Sequence, residues 1–268
     1  MGTHFENPLL RPFKRLLRKK KKRLTPAEAE RALAEMKEFL ETTGGVTMHP
    51  SQSDRSIAPP KDIVNKVQGS SKAHPDTFIG GGAQTALQYM RLIEAAGVRL
   101  KDMGAMLDFG IGTGRVSLHF TPFEVQRYGC DVNDVAVDWC RDAYAGQIEI
   151  AKTGLEPPLP YDADSFDLVL ATSVFTHTPY KMYAPWIAEL DRVLRPGGAV
   201  AATVHDFGAA EAQAATEGYF ETGTDRGLHI NTYLTREHFE ALFGARFDVR
   251  QVEVDAPNQA FFVAVKAA

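Results

Sequence analysis

LDFGIGTGR, residues 107–115, places three glycines at alternate positions, Gly110, Gly112 and Gly114. A short apolar run precedes these glycines and another apolar segment follows Arg115, so the pattern predicts a strand, a turn and then a helix. Glycines at alternate turn positions let the backbone lie close against a ligand. The first N–H groups of a helix attract polar or anionic atoms. The loop is therefore predicted to hold a nucleotide-like cofactor.

The spacing of the glycines separates two classes of cofactor. Nicotinamide enzymes of the Rossmann type use G-x-G-x-x-G, with the pyrophosphate over the helix N-terminus. This chain has G-x-G-x-G, with Asp108 two positions before the first glycine. A carboxylate is unfavourable beside a pyrophosphate and favourable beside a cofactor that carries a sulfonium and an ammonium group. The spacing and the acid favour the second class.

Further motifs follow the glycine loop in order. Asp131 ends the segment YGCD 21 residues after Gly110, close to the separation of one βαβ step. SFDLVL at residues 165–170 and RVLRPGG at residues 192–198 come next. With these motifs the sequence resembles the class I S-adenosylmethionine-dependent methyltransferases, whose first motif is a strand ending in an acid followed by G-x-G-x-G. The resemblance implies S-adenosylmethionine as the cofactor.

The resemblance also implies an α/β fold of the Rossmann-like type. Its sheet has seven mostly parallel strands with an antiparallel last strand, helices on both faces, and here an N-terminal helical extension. Strands are expected at residues 103–109, 125–130, 147–151, 166–171, 199–204, 247–252 and 260–265. Helices are expected to start at Arg115 and Thr235 and to span 133–144 and 179–194. The short turn after Asp255 suits a hairpin and is too short for a parallel crossover.

Upstream of this core, Thr25-Pro26-Ala27-Glu28 has the pattern of a capped helix start. Residues 46–82 are predicted to be irregular, either a linker or a segment that covers the cofactor, in which 78–82 would close over the methionine end. A helix is expected at 83–96. The predicted organisation is a basic tail at 1–24, N-terminal helices with the covering segment at 25–100, and a core at 101–268 with an insertion at about 206–234.

The family pattern implies a role for each group at the strand ends. Asp131 binds the ribose hydroxyls, the glycine loop binds the methionine portion, and the turn at 153–155 borders the adenine. Many relatives have an aspartate after the third strand, where this chain has Lys152-Thr153-Gly154, so backbone atoms are expected to meet the adenine amine. The predicted cofactor residues are Asp108, Gly110, Gly112, Gly114, Arg115, Asp131, Asn133, Gly154, Leu155, Thr172 and Ser173.

Three histidines are candidate proton acceptors. Methyl transfer needs alignment of the reactants, and a base where the acceptor must lose a proton. Histidine suits that role near neutral pH. We expect His205, beside Asp206 after the fifth strand, to be the base, ahead of His177 after the fourth strand and His229 in the insertion. A structural histidine bonded to backbone or water is the alternative for each. No motif with metal-ligand spacing is present, so no metal is expected.

Composition limits the partners. The chain has 30 basic and 34 acidic residues and a net charge of −4, which argues against general affinity for nucleic acid. Cys130 and Cys140 are expected to be reduced core residues.

No apolar run is long enough for a membrane span, so a cytoplasmic location is expected. Arg11–Arg23 holds nine basic residues and no acid. This run is interpreted as a solvated extension, with weak peripheral membrane contact as the alternative.

The predicted function is methyl transfer from S-adenosylmethionine to an oxygen, and with lower preference a nitrogen, of a small molecule or glycan. Two alternatives remain: a nicotinamide-dependent oxidoreductase and a non-catalytic methyltransferase-like binding protein. The glycine spacing and the lack of a Tyr-x-x-x-Lys pair count against the first. Nucleic-acid methylation is not expected, because Ala171-Thr172-Ser173-Val174 stands where an Asn/Asp-Pro-Pro-Tyr motif would lie.

Overall fold

The structure is a computed structural model that describes residues 24–68, 74–212, 216–223, 230–255 and 259–268. Arg11–Arg23, the basic run, lies outside these residues. The α-helices of the described residues are α1 (Pro26–Phe39), α2 (Lys61–Gln68), α3 (Pro75–Ala95), α4 (Asp134–Ala143), α5 (Tyr183–Val193), α6 (Gly208–Ala212) and α7 (Arg236–Gly244). The strands are β1 (Ala105–Phe109), β2 (Gln126–Asp131), β3 (Glu149–Lys152), β4 (Phe166–Ala171), β5 (Leu194–His205), β6 (Tyr219–Thr222), β7 (Asn231–Leu234), β8 (Phe247–Asp255) and β9 (Gln259–Lys266).

Seven strands form one sheet in the order β3-β2-β1-β4-β5-β9-β8. Strands β1 to β5 pair in parallel, whereas β9 runs antiparallel to both of its neighbours, β5 and β8. The predicted mostly parallel sheet with an antiparallel last strand is confirmed. Strand order reverses between β1 and β4, and in open α/β sheets ligands bind beyond the carboxyl ends of the strands at such a point.

Helices cover both faces of the sheet. On one face, α1 and α3 bury Met36, Met90 and Ile93 in a cluster that includes Met106 of β1 and Leu168 of β4. On the other face, α5 and α7 bury a second cluster that contains Trp186, Leu190, Phe239, Phe243 and Phe262. The N-terminal extension therefore belongs to the folded core, because burying its apolar side chains against the sheet stabilises both.

The prediction of an irregular segment as far as residue 82 was wrong at its C-terminal end. Helix α3 begins at Pro75, where the side chain of His74 accepts a hydrogen bond from the Asp76 N–H. A Cβ at Gly80 would lie 2.5 Å from the Cα of Ala29, and one at Gly82 would lie 2.4 Å from the Arg115 carbonyl oxygen. These glycines therefore allow close backbone packing within a helix, and they do not form a closing flap.

Two further expectations about secondary structure were wrong. The segment after Arg115 forms a 3-10 turn at Ser117–Phe120 and not an α-helix. The insertion contains an antiparallel hairpin, β6 paired with β7, that the sequence did not predict. Among the described residues, no helix is both long and apolar enough to cross a membrane.

Candidate functional site

The glycine loop follows β1 at the point where the strand order reverses. Gly110, Gly112 and Gly114 have φ values of 76°, 57° and 76°, a region that residues with a side chain rarely adopt. The N–H groups of Gly110 and Ile111 both donate to the Cys130 carbonyl oxygen, at 2.8 and 3.0 Å, so the loop is bonded to the end of β2. The predicted strand and glycine turn are confirmed.

Asp131 ends β2 beside this loop. Its Oδ2 accepts a hydrogen bond from the Gly112 N–H at 2.9 Å, and its Oδ1 accepts one from the Asn133 N–H at 2.8 Å. Burial raises the pKa of this carboxyl group, and the bonds from the Asn133 and Gly112 amides oppose the rise. Each carboxylate oxygen can accept more than one bond, so the fixed carboxylate retains the capacity to bind hydroxyl groups.

Asp108 lies beneath the loop with its side chain almost fully buried. Its Oδ2 accepts a hydrogen bond from the Ser117 hydroxyl at 2.6 Å. Burial raises the pKa of Asp108 to about 6, against the opposing effect of the Ser117 bond, and the charge of Asp131 raises it further. The predicted acid next to the glycines is therefore a buried group whose ionisation costs free energy, and a nearby positive charge would favour its charged form.

Arg115 turns toward helix α3. Its Nη1 donates to the Gly81 carbonyl oxygen at 2.6 Å and to the Thr85 hydroxyl at 3.2 Å. The fully buried Tyr89 of the same helix places its hydroxyl 3.3 Å from Oγ1 of Thr172, at the end of β4. Helix α3 therefore contacts both the glycine loop and the end of β4.

The turn after β3 lies next to Asp131. The Thr153 N–H donates to the Asp131 carbonyl oxygen at 3.1 Å. Oγ1 of Thr153 is buried and has no hydrogen-bond partner among the described residues. Two positions further on, Leu155 is 59% exposed, which is unusual for a large apolar side chain in this structure. On either side of Gly154 the turn thus offers the unsatisfied hydroxyl of Thr153 and the uncovered apolar surface of Leu155.

Helix α2 lies over the glycine loop. A Cβ at Gly112 would have Cγ1 of Val67 as its nearest neighbour, at 3.7 Å. Asn133, the N-cap of α4, accepts from the Val135 N–H and donates through Nδ2 to the Lys66 carbonyl oxygen at 3.1 Å. Helix α2, part of the segment predicted to cover the cofactor, thus contacts both the loop at Gly112 and Asn133, two residues after Asp131.

The turn after β4 packs directly on the glycine loop. A Cβ at Gly110 would lie 2.5 Å from Cγ2 of Val174. The preceding residue, Ser173, has a φ of 60°, which is strained for a residue with a side chain. It is held there by its N–H bond to Oγ1 of Thr203 at 2.8 Å and by a 2.7 Å bond from Nε2 of Gln259 to its hydroxyl. Strain of this kind concentrates at functional sites.

Two of the three candidate histidines lie together at this edge. The ring centroids of His177 and His205 are 6.3 Å apart in an edge-to-face arrangement. Nδ1 of His177 lies 3.1 Å from the Ile230 carbonyl oxygen. The ring of His205 stacks on Tyr233 with 4.2 Å between centroids. The third candidate, His229, lies outside the described residues.

Several residues at the site carry no signal in the sequence. Tyr89 lies in an ordinary apolar helix, Val67 in a short helix inside a segment predicted to be irregular, and Gln259 at the start of a strand. Tyr233 belongs to the hairpin that was not predicted. Each reaches the site through tertiary packing alone. Strand pairing offered one clue, because Gln259 lies opposite His205 across the β5–β9 ladder.

The residues at this edge fit S-adenosylmethionine. The buried Thr153 hydroxyl lacks a partner and the exposed Leu155 offers an apolar surface, as an adenine subsite requires. Asp131 is fixed by two backbone amides and has lone pairs for two ribose hydroxyls, and the buried Asp108 lies below a loop in which three of five residues are glycines. When bound, this cofactor supplies an electrophilic methyl group on a positively charged sulfur.

Comparisons with known proteins agree with this geometry. Residues 107–202 match a family model described as a methyltransferase domain. A Burkholderia thailandensis 1,6-didemethyltoxoflavin-N1-methyltransferase, solved with 1,6-didemethyltoxoflavin and S-adenosylhomocysteine, superposes with a TM-score of 0.57 at 15% identity, covering 91% of this chain and 92% of that one.

Two further solved structures have the same fold. A SAM-dependent methyltransferase from Methanosarcina mazei matches with a TM-score of 0.51 at 20% identity, covering 62% of this chain and 93% of that one. The [4+2]-cyclase SpnF matches with a TM-score of 0.53 at 17% identity, covering 83% and 98%. Residues 107–202, which include the glycine loop, therefore match a methyltransferase domain, and the chain has the fold of these three solved structures.

Proposed function

We propose that the enzyme transfers the methyl group of S-adenosylmethionine to an oxygen of a small molecule or glycan, with nitrogen as the second choice of acceptor atom. The observation that carries this proposal is the pair of histidines, His177 and His205, at the carboxyl ends of β4 and β5. A hydroxyl acceptor must lose a proton, and a nearby imidazole can accept that proton as a general base. An uncharged amine already presents a lone pair and needs a base less.

In this proposal the cofactor is held by the residues on the β1–β3 side. Asp131 binds the ribose hydroxyls, the glycine loop binds the methionine portion, and Thr153 to Leu155 bind the adenine. Asn133 and Arg115 support these contacts by fixing Asp131's neighbourhood and the loop against α2 and α3. Thr172 and Ser173 border the methyl group from the β4 side.

The acceptor binds on the side of the insertion. Rings of His205, Tyr233 and Phe220 stack in succession there, with centroid separations of 4.2 and 4.7 Å. Faces of this kind pack against flat rings and against the apolar faces of sugars. The Burkholderia neighbour is named as an N1-methyltransferase, which supports nitrogen as the second choice. We further propose that the enzyme is cytoplasmic and acts without nucleic-acid or metal partners.

Transfer of labelled methyl groups tests the proposal. Wild-type enzyme would be incubated with S-adenosylmethionine labelled in the methyl group and with paired acceptors that differ at one position, a hydroxyl or an amine, such as phenols with anilines and a glucoside with the matching 2-amino-2-deoxyglucoside. We expect labelled ethers as the main product. Labelled amines alone would overturn the choice of oxygen. Cofactor binding without transfer to any acceptor would favour the non-catalytic alternative, and binding of NADPH in preference would favour the oxidoreductase.

A further inference from the structure

The structure distinguishes the two histidines of the site by the surroundings of their rings. Nδ1 of His177 lies 3.1 Å from the Ile230 carbonyl oxygen. A carbonyl oxygen can only accept a hydrogen bond, so Nδ1 must carry the proton. In the neutral ring, Nε2 then holds the lone pair. A carbonyl that fixes the tautomer in this way leaves the other nitrogen ready to accept a proton.

His205 is in a different environment. One face of its ring stacks on Tyr233 at 4.2 Å, with the planes only 16° apart, and its Nε2 atom is buried. Tyr233 stacks in turn on Phe220 at 4.7 Å. His205 is thus one layer of an aromatic stack, whereas the side chain of His177 is exposed at the edge of the site.

The turn that carries His177 is fixed on two sides. Toward the cofactor loop, the His177 N–H donates to the Val174 carbonyl oxygen at 2.9 Å, and Val174 packs against Gly110. Toward the insertion, the Thr232 hydroxyl donates to the Thr178 carbonyl oxygen at 2.8 Å. His177 is therefore held between the cofactor loop and the hairpin.

The same hairpin holds the residues that follow. Oε1 of Glu221 in β6 accepts a hydrogen bond from the Tyr180 N–H at 2.6 Å. The Tyr180 ring stacks on Tyr219 at 3.6 Å, and its hydroxyl lies 2.6 Å from Nε2 of His238. The insertion thus orients the 177–180 turn through the Ile230 carbonyl and through side chains of β6, β7 and α7.

From this geometry we infer that His177, and not His205, accepts the proton of the methyl acceptor, and that the β6–β7 hairpin positions it. The inference rests on the proposed function. The acceptor hydroxyl gives its proton to Nε2 of His177 while its oxygen forms a bond to the methyl carbon. The electron pair of the broken sulfur–carbon bond stays on sulfur, and the exposed imidazolium then releases the proton to solvent. His205 contributes an apolar wall to the acceptor side.

The first test needs no acceptor. Nitrogen-15 NMR of the histidine side chains in the full chain reports which ring nitrogen carries the proton, and the His177→Gln spectrum identifies the His177 signals by their loss. We expect the Nδ1–H tautomer for the neutral ring of His177. The Nε2–H tautomer would overturn the inference, whatever the outcome of the acceptor screen.

The second test compares His177→Ala with His205→Ala on an acceptor found in the methyl-transfer screen. We expect His177→Ala to lower turnover by roughly 10²- to 10⁴-fold, with affinity for S-adenosylhomocysteine within threefold of wild type and partial rescue by added imidazole. His205→Ala should lose less than about tenfold, through lost stacking rather than a lost base, and imidazole should not restore it. His49→Ala, at the N-cap of the short turn Pro50–Gln52, controls for the effect of imidazole itself.

The reverse pattern, with the large loss and the rescue in His205→Ala, would overturn the inference and return the base to His205. Thermal unfolding of each variant shows whether it is folded. His177→Gln provides a second, bulkier replacement if His177→Ala is unstable. Wild-type enzyme that binds S-adenosylhomocysteine and methylates no acceptor contradicts the proposed function and the role of His177 with it, even where NMR shows the Nδ1–H tautomer.

Discussion

On the side of β1 to β3 the site is shaped by the main chain, whereas on the side of β4 to β7 it is shaped by side chains. The cofactor side depends on glycines with positive φ and on amide bonds to Cys130 and Asp131. The acceptor side depends on contacts such as His177 with Ile230 and Tyr180 with Glu221, which join segments 53 and 41 residues apart. In the proposed function, the half shaped by the main chain binds the cofactor and the half shaped by side chains binds the acceptor.

The difference between the two sides of the site predicts the largest loss of stability for Gly114, a glycine of the loop. A Cβ at Gly114 would lie 2.3 Å from the ring of Tyr144, and the residue has a φ of 76°. Tyr144 cannot move away easily, because it is buried and its hydroxyl donates to the Thr113 carbonyl oxygen at 3.0 Å. Gly114→Ala should therefore lower the free energy of unfolding by about 2–5 kcal/mol, from left-handed strain together with overpacking. Urea denaturation measures this loss.

Gly146→Ala is the matched control for that prediction. Gly146 has a φ of 73° and nothing within 4 Å of the position of a Cβ. In this variant only the strain of the left-handed conformation should lower the free energy of unfolding, by about 1–2 kcal/mol. Equal losses in the two variants would show that packing on Tyr144 does not constrain the loop.

Asp108 gives a pH-dependent prediction. Its pKa is about 6 in the folded protein against an ordinary value of 3.8, because burial disfavours the charged form. The folded state therefore binds more protons than the unfolded state between these values, and this group lowers stability as the pH rises. Wild type should lose about 2 kcal/mol relative to Asp108→Asn between pH 4 and pH 6. Denaturation of both proteins at a series of pH values measures the difference.

The same group links proton release to cofactor binding. A positively charged cofactor above Asp108 favours the ionised carboxylate, so binding near pH 6 should release a proton to the buffer. Calorimetry in buffers of different ionisation enthalpy detects this release, which Asp108→Asn should abolish. Equal proton release in the variant would assign it to another group.

A smaller effect is expected where α2 covers the loop. Val67 and Lys66 contact the glycine loop and Asn133, so bound cofactor should make opening of this helix less frequent. Amide hydrogen exchange at 61–68 should slow when S-adenosylhomocysteine is added. Exchange in α1, which packs on α3, should change little. Unchanged exchange at 61–68 would favour the interpretation of this segment as a linker.

The smallest effect is expected from the basic N-terminus. Removing residues 1–23 leaves the helix start at Thr25, with its capping bond from the Glu28 N–H, in place. We expect cofactor affinity and methyl transfer to remain within about twofold of the full chain, a change of less than 0.5 kcal/mol. A larger loss of either would give the basic run a role in the site itself.

The sequence predicted the glycine turn after β1, the acid at the end of β2 and the Asn133 cap of α4. Its glycines, Asp131 and the Asn133 cap have fixed spacings, because local backbone geometry demands those residue types at those positions. The seven-stranded sheet followed from periodicity and from the family resemblance, and strand β4 has the predicted bounds. What failed there was local: a glycine run in α3 has a packing role that only the tertiary neighbours Ala29 and Arg115 reveal.

The acceptor side could not be predicted to the same degree. The sequence placed His177 and His205 at strand ends and ranked His205 first, but the features that distinguish the two histidines, a carbonyl of Ile230 and a ring of Tyr233, are visible only in the structure. Both belong to the hairpin region of the insertion, whose pairing has no strong sequence pattern. Tyr89 and Gln259 likewise reach the site only through the packing of α3 and the register of β9.

Calorimetric titration of S-adenosylhomocysteine into wild type, Asp131→Ala and His177→Ala tests most directly whether the two sides have separate tasks. Two hydroxyl bonds to a carboxylate contribute about 1.5–3 kcal/mol, so Asp131→Ala should bind at least tenfold more weakly while the protein stays folded. His177→Ala should bind within threefold of wild type. Unchanged affinity in Asp131→Ala, or an equally large loss in His177→Ala, would contradict the division of the site into a cofactor side and an acceptor side.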